Sequence, residues 1–147
     1  MKKLMALVLF VSATLSFTAC SSDDNAPKRN KEQYEGTWIA DRLSYTIPGA
    51  PNPMEHDFTD MPGENAVSQA DELILTEKTA TLTEFFKNSE TPKTTLGVVQ
   101  NGVITFVDQN YTSRTINSTT ATTLSLTYYY TMRGSTLPIT VTYKRLK

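Results

Sequence analysis

Two stretches near the C-terminus constrain the fold more than any others. In residues 122–132 (TTLSLTYYYTM), Leu124, Leu126, Tyr128, Tyr130 and Met132 share one parity, and Ser125, Thr127, Tyr129 and Thr131 share the other. In residues 137–146 (LPITVTYKRL), Leu137, Ile139, Val141, Tyr143 and Arg145 alternate with Thr140, Thr142 and Lys144. Successive side chains of a strand point to opposite faces, so alternation this long describes two half-buried strands rather than helices. Arg133-Gly134-Ser135 supplies the turn between them. Pro138 belongs near the start of its strand, where a missing N–H is tolerated.

The same reading extends upstream. Asn101-Gly102 is a strong hairpin signal because both residues tolerate positive φ, and it joins strands at 93–100 and 103–108. A second hairpin pairs 72–76 (ELILT) with 79–86 (TATLTEFF) through Glu77-Lys78. Residues 113–118 form a weaker strand, and 37–47 form the first. No segment carries sustained helical periodicity, and 67–73 has room for one short helical turn. Threonine, valine, isoleucine and the aromatics that fill these stretches suit a pleated surface.

Eight strands joined mainly by short turns form an antiparallel sheet. Left open, that sheet has two edges, and closing it removes both. The expected fold class is therefore all-β, an eight-stranded antiparallel up-and-down barrel, with an open sandwich as the alternative.

The N-terminus carries a different signal. Lys2 and Lys3 precede an apolar run over residues 4–17, and Ala19 stands just before Cys20, the single cysteine. A basic start, a short apolar core and a small residue before the cut describe a secretory signal. The run falls short of the roughly 20 apolar residues a membrane span needs. Phe17-Thr18-Ala19-Cys20 resembles the lipobox of bacterial lipoproteins, with Phe17 where leucine is usual. That resemblance implies cleavage before Cys20 and acylation of its thiol. An unpaired thiol in a secreted chain invites wrong disulfides, and a lipid would consume it. An ordinary signal peptide with an incidental cysteine is the alternative.

Ser21-Ser22-Asp23-Asp24 resembles the acidic export signal of Bacteroidetes-type surface lipoproteins, which implies lipid anchoring in the outer membrane facing the medium. A merely polar tether is the plainer reading. Residues 25–33 (NAPKRNKEQ) continue polar and charged, as a flexible linker would. The chain thus divides into a signal peptide at 1–19, a lipidated tether at 20–33 and a domain at 34–147. Losing Lys2 and Lys3 takes the net charge from −1 to −3. With no basic cluster, nucleic-acid binding has no electrostatic footprint. Apolar burial must hold the domain, since no disulfide framework exists.

Gly36-Thr37-Trp38 resembles the G-x-W motif that opens the first strand of lipocalins, and Arg145 resembles the late arginine that packs over that tryptophan. The resemblance implies a lipocalin-like barrel over residues 34–147. Arg145 also sits on an apolar parity, where a guanidinium stacked on an indole would gain about 0.5–2 kcal/mol. The alternative is an arginine that snorkels outward at the strand end.

Residues 48–70 separate two strands by a stretch long enough to be functional. It reads as a lid over the barrel mouth, as a mobile surface loop, or as one hiding a short strand near residues 56–59. Glu55-His56-Asp57 lies within it, but one histidine with scattered carboxylates falls short of a zinc ligand set, so no metal is expected. No Gly-x-Ser-x-Gly elbow appears. Glu84 and Asp108 are carboxylates that could meet across strands, though nothing in their spacing favours it. The expectation is a non-catalytic monomer without a cofactor. Its partner is the membrane through Cys20, with a small apolar ligand in the barrel lined by Tyr45, Leu82, Leu126, Tyr128, Tyr130 and Val141. For the tyrosines, plain core packing is the competing reading. The competing functional class is a solid barrel whose threonine-rich exterior and 48–70 loop meet a glycan or protein.

Cys20→Ala is expected to leave the protein unanchored, read by membrane partitioning and by loss of incorporated palmitate. Label retained in the variant would refute acylation at this residue.

Overall fold

The computed structural model describes residues 34–60, 66–132 and 134–147. The signal and tether read from the sequence lie outside these residues. Nine strands follow in chain order: β1 (Gly36–Tyr45), β2 (Met54–Asp57), β3 (Glu72–Leu75), β4 (Thr79–Glu84), β5 (Lys93–Gln100), β6 (Val103–Phe106), β7 (Arg114–Thr119), β8 (Thr123–Met132) and β9 (Ser135–Arg145). All pairings are antiparallel. They run from β3 through each neighbour to β9, and β1 joins β3 on one edge to β9 on the other. The fold is the closed eight-stranded up-and-down barrel expected.

The ninth strand is β2. It lies within the 48–70 loop and pairs with the second half of β1, beyond the reach of β3. A single 3-10 turn (Phe58–Asp60) follows, and Phe58 is buried in the core. Val67 is also buried and bridges Phe86, so residues 66–71 extend the β3–β4 pairing where one turn of helix was expected. Strand pairing wins because it satisfies backbone groups that an isolated helical turn would leave open. The described parts of this loop are thus fastened to the barrel wall.

Turn chemistry accounts for the short connections. Asn101 (φ 52°) and Gly102 (φ 76°) both adopt the positive φ their hairpin requires. Two other turns repeat one device. The hydroxyl of Thr76 accepts the N–H of Thr79 at 2.9 Å, and that of Thr120 accepts the N–H of Thr123 at 2.9 Å. Pro138 sits two residues further into its strand than expected, because β9 begins at Ser135 rather than Leu137. It is tolerated there because β1 pairing with β9 stops at Ile139, so no neighbour needs the missing N–H.

β1 does not alternate throughout. Its register with β9 slips between Ala40 and Arg42, which makes Asp41 the extra residue of a bulge. Trp38 and Ala40 point inward before it, and Leu43 points inward after it. Without the bulge, Arg42 would enter the core.

The short turns at 76–79, 100–103 and 119–123 lie at the Trp38 end of the barrel. The longer connections lie at the other end, and the two ends are called narrow and wide after their short and long loops. At the narrow end, Trp38 and Arg145 face each other across the β1–β9 seam, with the guanidinium 4.3 Å from the indole ring. Trp38 Nε1 donates to the carbonyl of Tyr34, and Arg145 Nη1 donates to that of Glu35, each at 2.8 Å. Gly36 (φ 137°) lets the guanidinium pass, since a Cβ there would come within 2.8 Å of Arg145 Nη1.

Above this pair, Leu73, Leu82, Ile104, Leu124, Leu126 and Tyr143 expose none of their surface. Even a water molecule would find no space beside them, so this part of the barrel is filled. Leu126→Ala is expected to cost about 2–5 kcal/mol in urea unfolding, because the filled layer cannot collapse onto a cavity. Thr115→Ala on the outer wall should stay within about 0.5 kcal/mol.

Candidate functional site

Towards the wide end, the apolar filling gives way to a buried charged cluster centred on Arg114. Arg114 opens β7 on the same parity as Ile116, so the strand turns both side chains inward. It retains only 6% of its surface. Its guanidinium carbon lies 4.9 Å from the Tyr128 ring centre and 5.5 Å from that of Phe106. Its Nη1 donates to the hydroxyl of Tyr143 at 2.7 Å. Among the described residues that is the only hydrogen bond the guanidinium donates, although it carries five N–H groups.

Two carboxylates face it. Asp71 precedes β3 on the parity of Leu73 and Leu75, and is 3% exposed. Its Oδ1 is buried without a hydrogen-bond partner. Glu84 ends β4 and accepts the hydroxyl proton of Tyr111. Tyr111 tilts against Phe106 at 5.5 Å and carries the Lys93 ammonium 4.5 Å above its ring, and Lys93 pairs with Asp108 at 3.6 Å. Partly buried Tyr45, Phe86, Tyr111 and Tyr128 pack around the core beneath this end.

Burial is the main force on these groups. It pushes the Asp71 carboxyl up to about 7, with help from the charge of Glu84, while Arg114 and the backbone at Phe85 pull it down. Burial also raises the Tyr143 and Tyr111 hydroxyls, the latter further through its hydrogen bond to Glu84. For Arg114, burial works against the charge, but Tyr143, Tyr128, Asp71 and Glu84 outweigh it and keep the guanidinium protonated. The cluster can therefore offer a fixed cation with spare donors, aromatic faces beside it, and a carboxyl that titrates near neutrality.

The residues singled out from the sequence fall in three places. Leu82, Leu126 and Val141 are sealed in the filled layer, at 0%, 0% and 1% exposure, and border no open space. Tyr128 joins the Arg114 cluster. Tyr45 stands at the wide end and stacks on His56 at 5.9 Å. Tyr130 shares the inward parity, but it lies where β8 outruns the core and is 42% exposed. It therefore stands outside the packed interior in which it was expected. Trp38 and Arg145 meet at the opposite end. Cys20 lies outside the described residues.

Arg114 and Asp71 escaped the sequence reading. The signal was present in both: a charged residue on the parity of Ile116, and another on the parity of Leu73 and Leu75. The parity argument that singles out Arg145 applies equally to both.

Two clefts open on the surface. One of about 260 Å³ is lined by Arg42, Glu55, His56, Asp57 and Asp60. There Arg42 approaches Glu55 at 3.6 Å and Asp57 at 3.7 Å. The other, of about 410 Å³, lies beside Ile39, Asp41, Lys144 and Leu146. Among the described residues, no three His, Cys, Asp or Glu side chains come together in a group able to hold a metal.

No family model matches the chain, and no curated protein does. Among solved structures, it is similar to the siderocalin Ex-FABP, whose report describes function through dual ligand specificities. That likeness has 12% identity over 78% of this chain and 71% of the other, with a TM-score of 0.48. It is also similar to lobster apocrustacyanin A1, with 14% identity, 83% of this chain and 64% of the other covered, and a TM-score of 0.44. The chain thus spans less than two thirds of the crustacyanin's length. Both are lipocalin-family proteins with an eight-stranded barrel.

Asp71 sets a pH dependence. Folded, it holds its proton to about pH 7; unfolded, it ionises near its ordinary value of 3.8. Between those values unfolding releases a proton, so the stability that Asp71 contributes is greatest below about pH 4. It falls as pH rises towards 7, by at most about 1.4 kcal/mol per pH unit. Urea titrations across this range should show that fall in the wild type and its loss in Asp71→Asn. The variant should be the more stable chain near pH 8, whereas parallel curves would clear Asp71 of the role.

Proposed function

We propose that this chain is a non-catalytic binding protein, lipid-anchored at Cys20 in the outer membrane and exposed at the cell surface. In this reading it holds one small ligand at the wide end of its lipocalin-like barrel. The observation that carries the proposal is Arg114: a nearly buried guanidinium that donates one hydrogen bond, flanked by two aromatic rings. Its remaining N–H groups have no acceptor among the described residues, and a ligand oxygen there would gain a charge-assisted hydrogen bond. The filled layer below limits the ligand to the mouth. A compact, mostly apolar molecule with an acceptor head fits there: the head on Arg114 and the body against Phe106, Tyr111 and Tyr128. Asp71, when protonated, can donate a further hydrogen bond.

A second reading is supported by the sealed state of Leu82, Leu126 and Val141. A barrel filled that far down could act through its exterior. Its β7–β9 wall presents hydroxyls linked in cross-strand pairs, Thr127 to Thr140 at 2.9 Å and Thr131 to Thr136 at 3.1 Å. Tyr129 stands beside them, 60% exposed. Such a wall would suit a glycan or a protein partner.

Native mass spectrometry of protein gently purified from its own envelope separates these readings. The wild type is expected to carry one small-molecule mass, and Arg114→Ala to lose it. Arg114→Lys, which keeps a charge but not the planar fork, should retain the fold and weaken the ligand at least tenfold. A wild-type chain that is ligand-free throughout would overturn capture in favour of the exterior.

A further inference from the structure

The outer face of β3–β6 carries an apolar stripe that the proposed binding site does not use. Ile74, Leu96 and Val107 are 39%, 60% and 73% exposed, and Val98 beside them is 54% exposed. The register aligns them into one row. Ile74 pairs with Thr81 and Thr81 with Leu96, while the N–H of Val107 donates to the carbonyl of Leu96 at 2.8 Å. Val98 follows in the next row, between Thr79 and Thr105. Only threonines fill the positions between these aliphatics. Isolated exposed aliphatics need no explanation, but four clustered over two adjacent rows with only threonines between them mark a contact surface.

Where the described chain begins says what the contact is. The hydroxyl of Tyr34 donates to the carbonyl of Glu77 in the β3–β4 turn at 3.3 Å. The chain therefore enters the barrel beside the strands that carry the stripe, and Thr79, just past that turn, pairs with Val98. Cys20 lies only fourteen residues upstream of Tyr34. At 3.3–3.6 Å per residue, that length spans at most about 50 Å. A lipid on Cys20 would keep the barrel within that reach of the bilayer, with the chain entering on the side of this wall.

We infer that the Ile74–Leu96–Val98–Val107 stripe docks on the lipid surface to which the chain is anchored, laying the barrel on its side with β3–β6 against the membrane. This inference rests on the Cys20 anchor. Apolar side chains entering the boundary between headgroups and acyl chains contribute in proportion to the area they bury, and the anchor supplies the proximity that so small a patch lacks. The β8 and β9 wall, opposite β4 and β5 in the strand order, then faces away from the lipid, with its uncharged row of Thr127 and Thr140 turned to the medium.

The test places an indole on each wall of the full acylated chain in vesicles of phosphatidylcholine, with or without brominated acyl chains. Leu96→Trp reports from the stripe and Thr127→Trp from the opposite wall. Trp38 is fully buried and common to both variants. Docking requires the Leu96→Trp emission to shift to shorter wavelength and to be strongly quenched by bromine, while Thr127→Trp is not. Equal, weak quenching in protein that sediments with the vesicles would overturn docking and leave the anchor standing. Protein without acyl mass on Cys20 that neither sediments nor shifts would overturn both. Protein without acyl mass that still shifts would overturn the anchor, and with it the inference. In mild detergent, a dimer that dissociates on changing Leu96, Val98 and Val107 to threonine would assign the stripe to a second copy, and so also overturn the inference.

Discussion

The β1–β9 seam is the constraint on which the rest of this molecule depends. An up-and-down barrel is a row of hairpins until its first and last strands pair, and that pairing links residues about a hundred positions apart. Long-range closure carries a loop-entropy cost that short turns do not. The seam offsets it with seven paired positions of backbone and with Trp38 and Arg145 packed directly across it. Gly36 and the Asp41 bulge serve the same junction. The first makes room for the guanidinium, and the second turns Leu43 rather than Arg42 into the core.

The filled narrow end and the charged wide end differ in purpose as well as chemistry. An apolar interior stabilises by burying area and needs no partners. A buried guanidinium facing carboxyls stabilises only when its hydrogen bonds are made, and removing both charges for apolar groups is often neutral or better. Arg114, with one donated bond, and Asp71, with an unpaired oxygen, leave that potential unspent. Under the proposed reading, a ligand at the mouth would meet the needs that the fold leaves open here. The location agrees with this, since the longer connections and the partly buried aromatics gather at the same end.

The outside of the barrel is just as uneven. One wall bears aliphatics in a row, and the other bears hydroxyls bonded to one another across strands. Both satisfy the preference of strands for branched side chains, so β-propensity alone does not distinguish them. What separates them is how each meets water, and under the inferred docking the aliphatic wall is the side that meets less of it.

Strand existence and order were readable because a period of two is local: β5 coincides with its expected span, and the Asn101-Gly102 turn follows from backbone preferences of two residues. Trp38 and Arg145 were also visible as residues, since an arginine on an apolar parity asks for a partner. The lipobox resemblance around Cys20 is likewise a matter of adjacent residues, and it lies outside those the structure describes. Tertiary structure alone decided which inward side chains pack solidly and which surround a charge, because that depends on strand stagger and on the bulges at Asp41 and Asn117. It gathered Asp71, Glu84, Tyr111 and Arg114 from four separate segments, and it moved Tyr130 beyond the core although its parity was correct. Alternation states which face a residue belongs to. How far along the barrel that face stays buried is set by neighbours distant in the chain, and no local pattern encodes them.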